Sequence, residues 1–225
     1  EIQKICLDKL QSSPLPNPKS EQWRLSNKSK FSNFLDYSVN ENYQKFDTPF
    51  PNTSQSTIRL VIGNNCQINL IEDNYSIQQL SQDELDKYIK EQISYFDQNE
   101  NWSDLFNLSL SNTKNILGLK ISGSKIPPIE IFSHASSNSL NAKTLVIFLE
   151  KNCDVDLLQV NLGKENSSLS QSTFFCLEEN SSAKHGIVSY GENKSNLLNS
   201  LNVIQQNNSE YNLGSLHFKF NYARF

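Results

Sequence analysis

Methionine is missing altogether from these 225 residues, glycine and proline number seven each, and there are four cysteines and three histidines. Each scarcity excludes something. Without Met, Glu1 is not expected to be the native start, and the chain reads as cut or processed. Cys6, Cys66, Cys153 and Cys176 lie far apart with no C-x-x-C pair. That spacing encodes neither a zinc knuckle nor a dense disulfide framework, and it points to buried thiols in a reducing compartment. No signal-peptide pattern opens the chain, which argues against secretion. A net charge of −4 and a pI near 5.4 leave no cationic footprint for a phosphate backbone, and Lys and Arg are spread singly. Nucleic acid is therefore not an expected partner. No apolar run reaches the roughly 20 residues of a membrane-spanning helix, so the expectation is a soluble protein with no membrane partner. The length allows two modest domains, each able to bury a core.

The first half reads as a small, mainly helical domain over residues 1–112. Ile2, Ile5, Cys6, Lys9 and Leu10 share one helical face, and Pro14, Pro16 and Pro18 forbid its continuation. Phe31, Phe34 and Leu35 anchor a second helical turn, and residues 40–55 look irregular. The apolar runs at 57–62 and 66–71 flank Gly63-Asn64-Asn65, which tolerate positive φ, so the spacing predicts a β-hairpin over 57–71. Ser81-x-x-Glu84 is a capping box, continued by Leu85, Tyr88, Ile89, Gln92, Ile93 and Phe96 as an amphipathic helix. A further short helix is expected around 103–110.

From Ile116 the period changes to two. Strand-like pieces follow at 116–121, 129–132, 145–149, 155–162, 173–177, 186–190 and 201–204, joined by polar corners richer in Asn, Ser and Lys than in Gly. Asn is the residue that best replaces Gly where a corner needs the left-handed conformation. Adding 28 turns Leu149-Glu150-Lys151-Asn152 into Leu177-Glu178-Glu179-Asn180, and Val146-Ile147-Phe148 into Phe174-Phe175-Cys176. A repeat of that length with two short strands fits the coil of a parallel β-helix, here over 113–225. A buried sandwich strand is the competing explanation, because periodicity alone does not separate the two. In the β-helix, Ile147 stacks under Phe175 and Leu149 under Leu177 inside the tube. Val146, Phe148, Phe174 and Cys176 then point outward although apolar, so the N-terminal domain or a partner should cover them. A fourth coil, through Val203 to Leu216, fits only with a shift of a residue or two. Leu216, Phe218, Phe220 and Tyr222 alternate with polar neighbours to the end of the chain, an open strand edge. Either the native protein continues there or two copies meet.

Candidate chemistry is sparse. Gly118-x-x-x-x-Gly123-Ser124-Lys125 imitates a phosphate loop, but Ser precedes Lys and Ile126-Pro127-Pro128 cannot open the required helix. His134, His185 and His217 lack ligand spacing. Asp154, Asp156 and the Glu178/Glu179 pair are the nearest acidic clusters, with no legible reason for a shifted pKa. No G-x-S-x-G elbow is present. No enzyme activity is expected, and no catalytic, cofactor-binding or metal residue is assigned. Asn-x-Ser/Thr triplets at Asn27, Asn101 and Asn166 read as chance in so Asn- and Ser-rich a chain.

Several stretches resemble one family in order and spacing. Glu21-Gln22-Trp23-Arg24 after the Pro-rich segment resembles the Glu-Glu-Trp-Arg entry of the SufD family, with Leu25-Ser26 where that family typically has Tyr-Thr. Asp104-Leu105-Phe106-Asn107, Pro128-Ile129-Glu130-Ile131 and Leu149-Glu150-Lys151-Asn152 are similar to its N-terminal half. The resemblance implies a helical N-terminal domain, a right-handed parallel β-helix and a C-terminal helical domain that binds an ATPase. It further implies a non-catalytic scaffold subunit for iron–sulfur cluster assembly, partnered by a SufB-like subunit and the SufC ATPase, in the cytoplasm or a plastid stroma. In that reading the chain stops midway through the β-helix, before the family's cluster-related histidine and ATPase docking surface. No cofactor is therefore expected on this portion, and any cluster belongs to the full complex. The rival reading, from the same fold signal and the Asn-x-Ser/Thr triplets, is a secreted carbohydrate-active or carbohydrate-binding β-helix protein.

Overall fold

Asparagine makes the corners of this molecule. In the computed structural model, Asn138, Asn152, Asn166, Asn180, Lys194 and Asn208 follow one another at fourteen-residue intervals, all with φ between 53° and 58°. The structure describes Lys4, Asp8, residues 57–62, 68–98 and 116–225, with the backbone alone over 92–98. At five of those corners a serine follows the left-handed residue. Ser139, Ser167, Ser181, Ser195 and Ser209 each donate a hydroxyl to the carbonyl three residues back, at 2.6 to 2.8 Å. A four-residue turn with positive φ at its third position excludes most side chains but admits Asn, and the serine hydroxyl closes it.

Strands fill the intervals. After β1 (Ile58–Val61), β2 (Asn69–Ile71), β3 (Tyr75–Gln79) and the helix α1 (Gln82–Gln98) come β4 (Ile116–Gly123), β5 (Ile129–Ala135), β6 (Leu140–Leu149), β7 (Asp154–Gly163) and β8 (Ser168–Leu177). β9 (Ser182–Gly191), β10 (Asn196–Gln205), β11 (Glu210–Phe218) and β12 (Tyr222–Arg224) complete the chain. The strands form two sheets, ordered β12-β10-β8-β6-β4-β3-β2 and β1-β5-β7-β9-β11, and from β4 onward successive strands alternate between them. Pairing within the coils is parallel, so the second half is a β-helix of two facing sheets.

Ile147 pairs with Phe175 and Leu149 with Leu177, as the repeat predicts. The same register runs on through Val203 opposite Phe175 and Leu216 opposite Val188, so the fourth coil needs no shift. Inward residues Leu119, Ile121, Ile131, Leu145, Ile147, Leu149 and Phe175 are fully buried and form the main core cluster. At roughly 25 cal/mol per Å² of apolar surface removed from water, such stacked Leu, Ile and Phe side chains supply the dominant favourable term.

The outward apolar row is also covered. Leu85 and Ile89 of α1 pack on Val146 and Phe174, and Tyr88 stacks on Phe148 with ring centroids 4.8 Å apart. The helix starts where its capping box stands: Ser81 N–H donates to Glu84 Oε2 at 2.9 Å, and Glu84 N–H to Ser81 Oγ at 3.4 Å. Gln92, Ile93 and Phe96, expected on its apolar face, lie outside the described side chains.

One expectation needs correction. The runs at 57–62 and 66–71 do not pair with each other. β1 joins β5 in parallel, and β2 forms its hairpin with β3 instead. β1 and β3 are thereby strands of the same two sheets as the coils. Ile58, Leu60 and Ile62 pack on the same interior cluster as the coils, and that burial outweighs the local turn signal of Gly63-Asn64-Asn65. The helices expected around residues 31–35 and 103–110, and Trp23, lie outside the described residues; of the first helix only Lys4 and Asp8 are described, both helical and exposed.

Candidate functional site

The residues singled out for chemistry are not brought together. His134 lies on the outer face of β5, His185 inside the coil on β9, and His217 near the end of β11, stacked on Phe225 at 3.6 Å between ring centroids. Burial, helped by Lys143 and Lys164, holds His134 down to about 4, and burial alone does the same to His185. Both are neutral imidazoles at ordinary pH. His185 shares a hydrogen with Tyr211 Oη through Nδ1 at 2.6 Å, and Phe175 packs against both rings at 5.7 and 5.3 Å.

The acidic residues stand at corners or on the outer face of a strand, Asp156 and Glu179 among them in ion pairs between neighbouring coils. Lys151 Nζ stands 3.3 Å from Glu179 Oε2, Lys164 Nζ 2.8 Å from Glu192 Oε1 and Lys184 Nζ 3.9 Å from Asp156 Oδ1. All three pairs are exposed, and such pairs contribute little stability. Asp154 is exposed as well. Cys153 and Cys176 are free and buried, and burial pushes both thiols up to about 12, so neither is a thiolate that could attack or ligate. Among the described residues no three His, Cys, Asp or Glu side chains converge on one point.

The false phosphate loop has a packing explanation. Gly118 lies in β4 beneath α1, where a Cβ would overlap Leu85 Cδ2. Gly123, at φ 99°, faces the Asn74 carbonyl, and Lys125 is a left-handed corner at φ 56°. The Asn-x-Ser triplet at Asn166 is also explained by the corner. Asn166 Nδ2 donates to Asn138 Oδ1 at 2.7 Å, and its third residue, Ser168, is fully buried.

What the sequence reading missed is a polar tier inside the coil. Lys143, Gln171 and Asn199 are register partners on one sheet, and Ser133, Asn161 and Ser189 on the other, all at most 4% exposed. Thr173 Oγ1 donates to Gln159 Oε1 at 3.1 Å, Gln159 Nε2 to Asn161 Oδ1 at 3.3 Å, and Asn161 Nδ2 to Ser189 Oγ at 3.1 Å. Lys143 Nζ donates to the Ile62 carbonyl at 3.4 Å, and burial lowers its ammonium to about 8. The tier separates the main core from a smaller cluster of Ala135, Leu169 and Leu197 at the opposite edge of the tube. Its signal was present in the sequence, as polar residues at inward positions repeating every coil.

A tier of this kind can fix register, because an interior hydrogen bond is made only when equivalent positions face one another. It offers no nucleophile in contact with solvent. No helix among the described residues is long and apolar enough to cross a membrane. No protein-family model matches the chain, and no curated protein matches it either.

Proposed function

We propose that this chain is a non-catalytic scaffold piece of SufD type, working in iron–sulfur cluster assembly beside a SufB-like subunit and a SufC-type ATPase. The observation that carries the reading is the unbroken register of the parallel coils, preceded by a helix laid on their outer face. That order of parts is what the resemblance of Pro128-Ile129-Glu130-Ile131 and Leu149-Glu150-Lys151-Asn152 implies. The histidines and thiols of the described part are buried or engaged in packing, which suits a platform better than a reaction centre. The proposed compartment is the cytoplasm or a plastid stroma.

Co-expression of this chain with a SufB-like subunit and a SufC-type ATPase tests it. Co-elution of all three through affinity and size-exclusion steps is the expected result. Elution of the chain alone, with the other two still associated, overturns the assignment. The carbohydrate reading gains no support from the triplet at Asn166, whose side chain is committed to the corner ladder.

A further inference from the structure

The seven-stranded sheet ends on β2, and no strand among the described residues lies against its outer edge. The Ile68 carbonyl accepts from Gln79 N–H at 2.8 Å, and Glu72 N–H donates to the Tyr75 carbonyl at 2.9 Å. Antiparallel pairing alternates, so Leu70 also turns its backbone toward β3, and Asn69 and Ile71 turn theirs away. Two N–H and two C=O groups therefore face off the sheet. Edge strands are commonly blunted by Lys, Pro or a covering element, and residues 68–71 contain neither residue type. Ile71, 64% exposed, is instead the most exposed large apolar side chain among the described residues, and Leu70 is 38% exposed. Beside the start of the strand, Ile68, Asn69, Gln78, Gln79, Leu80 and Ser81 line an open groove of about 440 Å³. At the other end stand Glu72 and Asp73, both exposed and in no ion pair with a described residue. Lys120, opposite Gln78 on β4, is held by Glu150 at 2.7 Å.

We propose that β2 is a docking edge for a partner protein, which adds an extended segment as a further antiparallel strand and brings a Lys or Arg level with Glu72 and Asp73. Main-chain bonds to Asn69 and Ile71 supply affinity, and the charge at the hairpin end selects the partner. An apolar side chain of the added segment covers Ile71, and the groove at the start of β2 receives the segment's other end. Three residues offer few bonds, so the contact is weak and reversible. This docking does not depend on the iron–sulfur reading.

Fluorescence anisotropy of a labelled hexapeptide, with Val and Thr alternating behind an N-terminal Lys, tests it against the chain at up to roughly 200 µM. Saturable binding is expected. It should be at least about tenfold weaker when Glu replaces the Lys, and when the amides that face β2 are N-methylated. Ile71→Pro removes an outward N–H and no bond to β3, so it should weaken binding by a similar factor with unchanged circular dichroism. Glu72→Lys combined with Asp73→Lys should reverse the preference between the Lys and Glu peptides, which partial unfolding would not do. Absence of saturable binding overturns the proposal. So does binding indifferent to Ile71→Pro, which places the peptide at the open edges of β11 and β12. Self-association of the chain that blocks the peptide and is abolished by Ile71→Pro overturns it too, since the occupant is then a second copy.

Discussion

Asn180 Nδ2 donates to Asn152 Oδ1, and Asn208 Nδ2 to Asn180 Oδ1, so left-handed corners of consecutive coils are tied to one another side chain to side chain at 3.4 and 3.3 Å. The corner backbone repeats the link, with Asn152 N–H donating to the Glu179 carbonyl and Asn180 N–H to the Asn207 carbonyl. Conformation and hydrogen bonding thus select the same residue type.

Asn180→Ala should lower the urea midpoint. The left-handed backbone costs a residue with a plain Cβ about 1 kcal/mol, and the ladder bonds are lost as well. Asn180→Gly keeps the conformation without strain and should cost less than Asn180→Ala. Equal loss in the two would show that φ 58° is not what selects Asn there.

Gly118→Val drives a side chain into Leu85 and should loosen α1 from the sheet. Overpacking of this kind costs about 1–3 kcal/mol. Hydrogen exchange across 82–91 should quicken, while exchange in β8 stays slow. Leu85→Ala added to Gly118→Val should recover part of the protection.

Below neutral pH, stability should fall as the medium passes from the ordinary histidine value of 6.5 toward about 4. In that window the unfolded chain takes up protons that buried His185 and His134 refuse, so the unfolded state gains. Above 6.5 both states hold neutral imidazoles and the contribution is flat. His185→Gln should flatten the acid limb of a stability-against-pH curve. A slope identical to that of the parent would show that His185 charges freely inside the coil.

Lys143 acts at the alkaline end. Between about 8 and its ordinary 10.5 the folded chain has released the proton and the unfolded chain still holds it, so stability should rise with pH across that window. Lys143→Met should remove the rise and leave the protein at least as stable at pH 7, where a desolvated ammonium is costly. Persistence of the rise in Lys143→Met would assign it to another group.

Leu213 and Phe225, half or more exposed at the end of the coil, belong to a different class from the buried Ile147 and Phe175, although the sequence pattern treats them alike. The stacked architecture was legible because each coil repeats at 28 residues and because Asn-Ser corners must recur at the same height for strands to stay in register. The cover of Val146 and Phe174 was legible too, since a strand apolar on both faces demands a second layer. Neither the partner of β1 nor the nature of the interior polar tier could be read that way. Ile58 to Val61 found its place against β5, about seventy positions along the chain. Lys143 ended inside the tube because strand parity puts it there. Local patterning therefore determined which segments are strands and where they bend. The closing of two sheets upon each other decided which polar groups lost their water, since burial belongs to the assembled solid and not to any one segment.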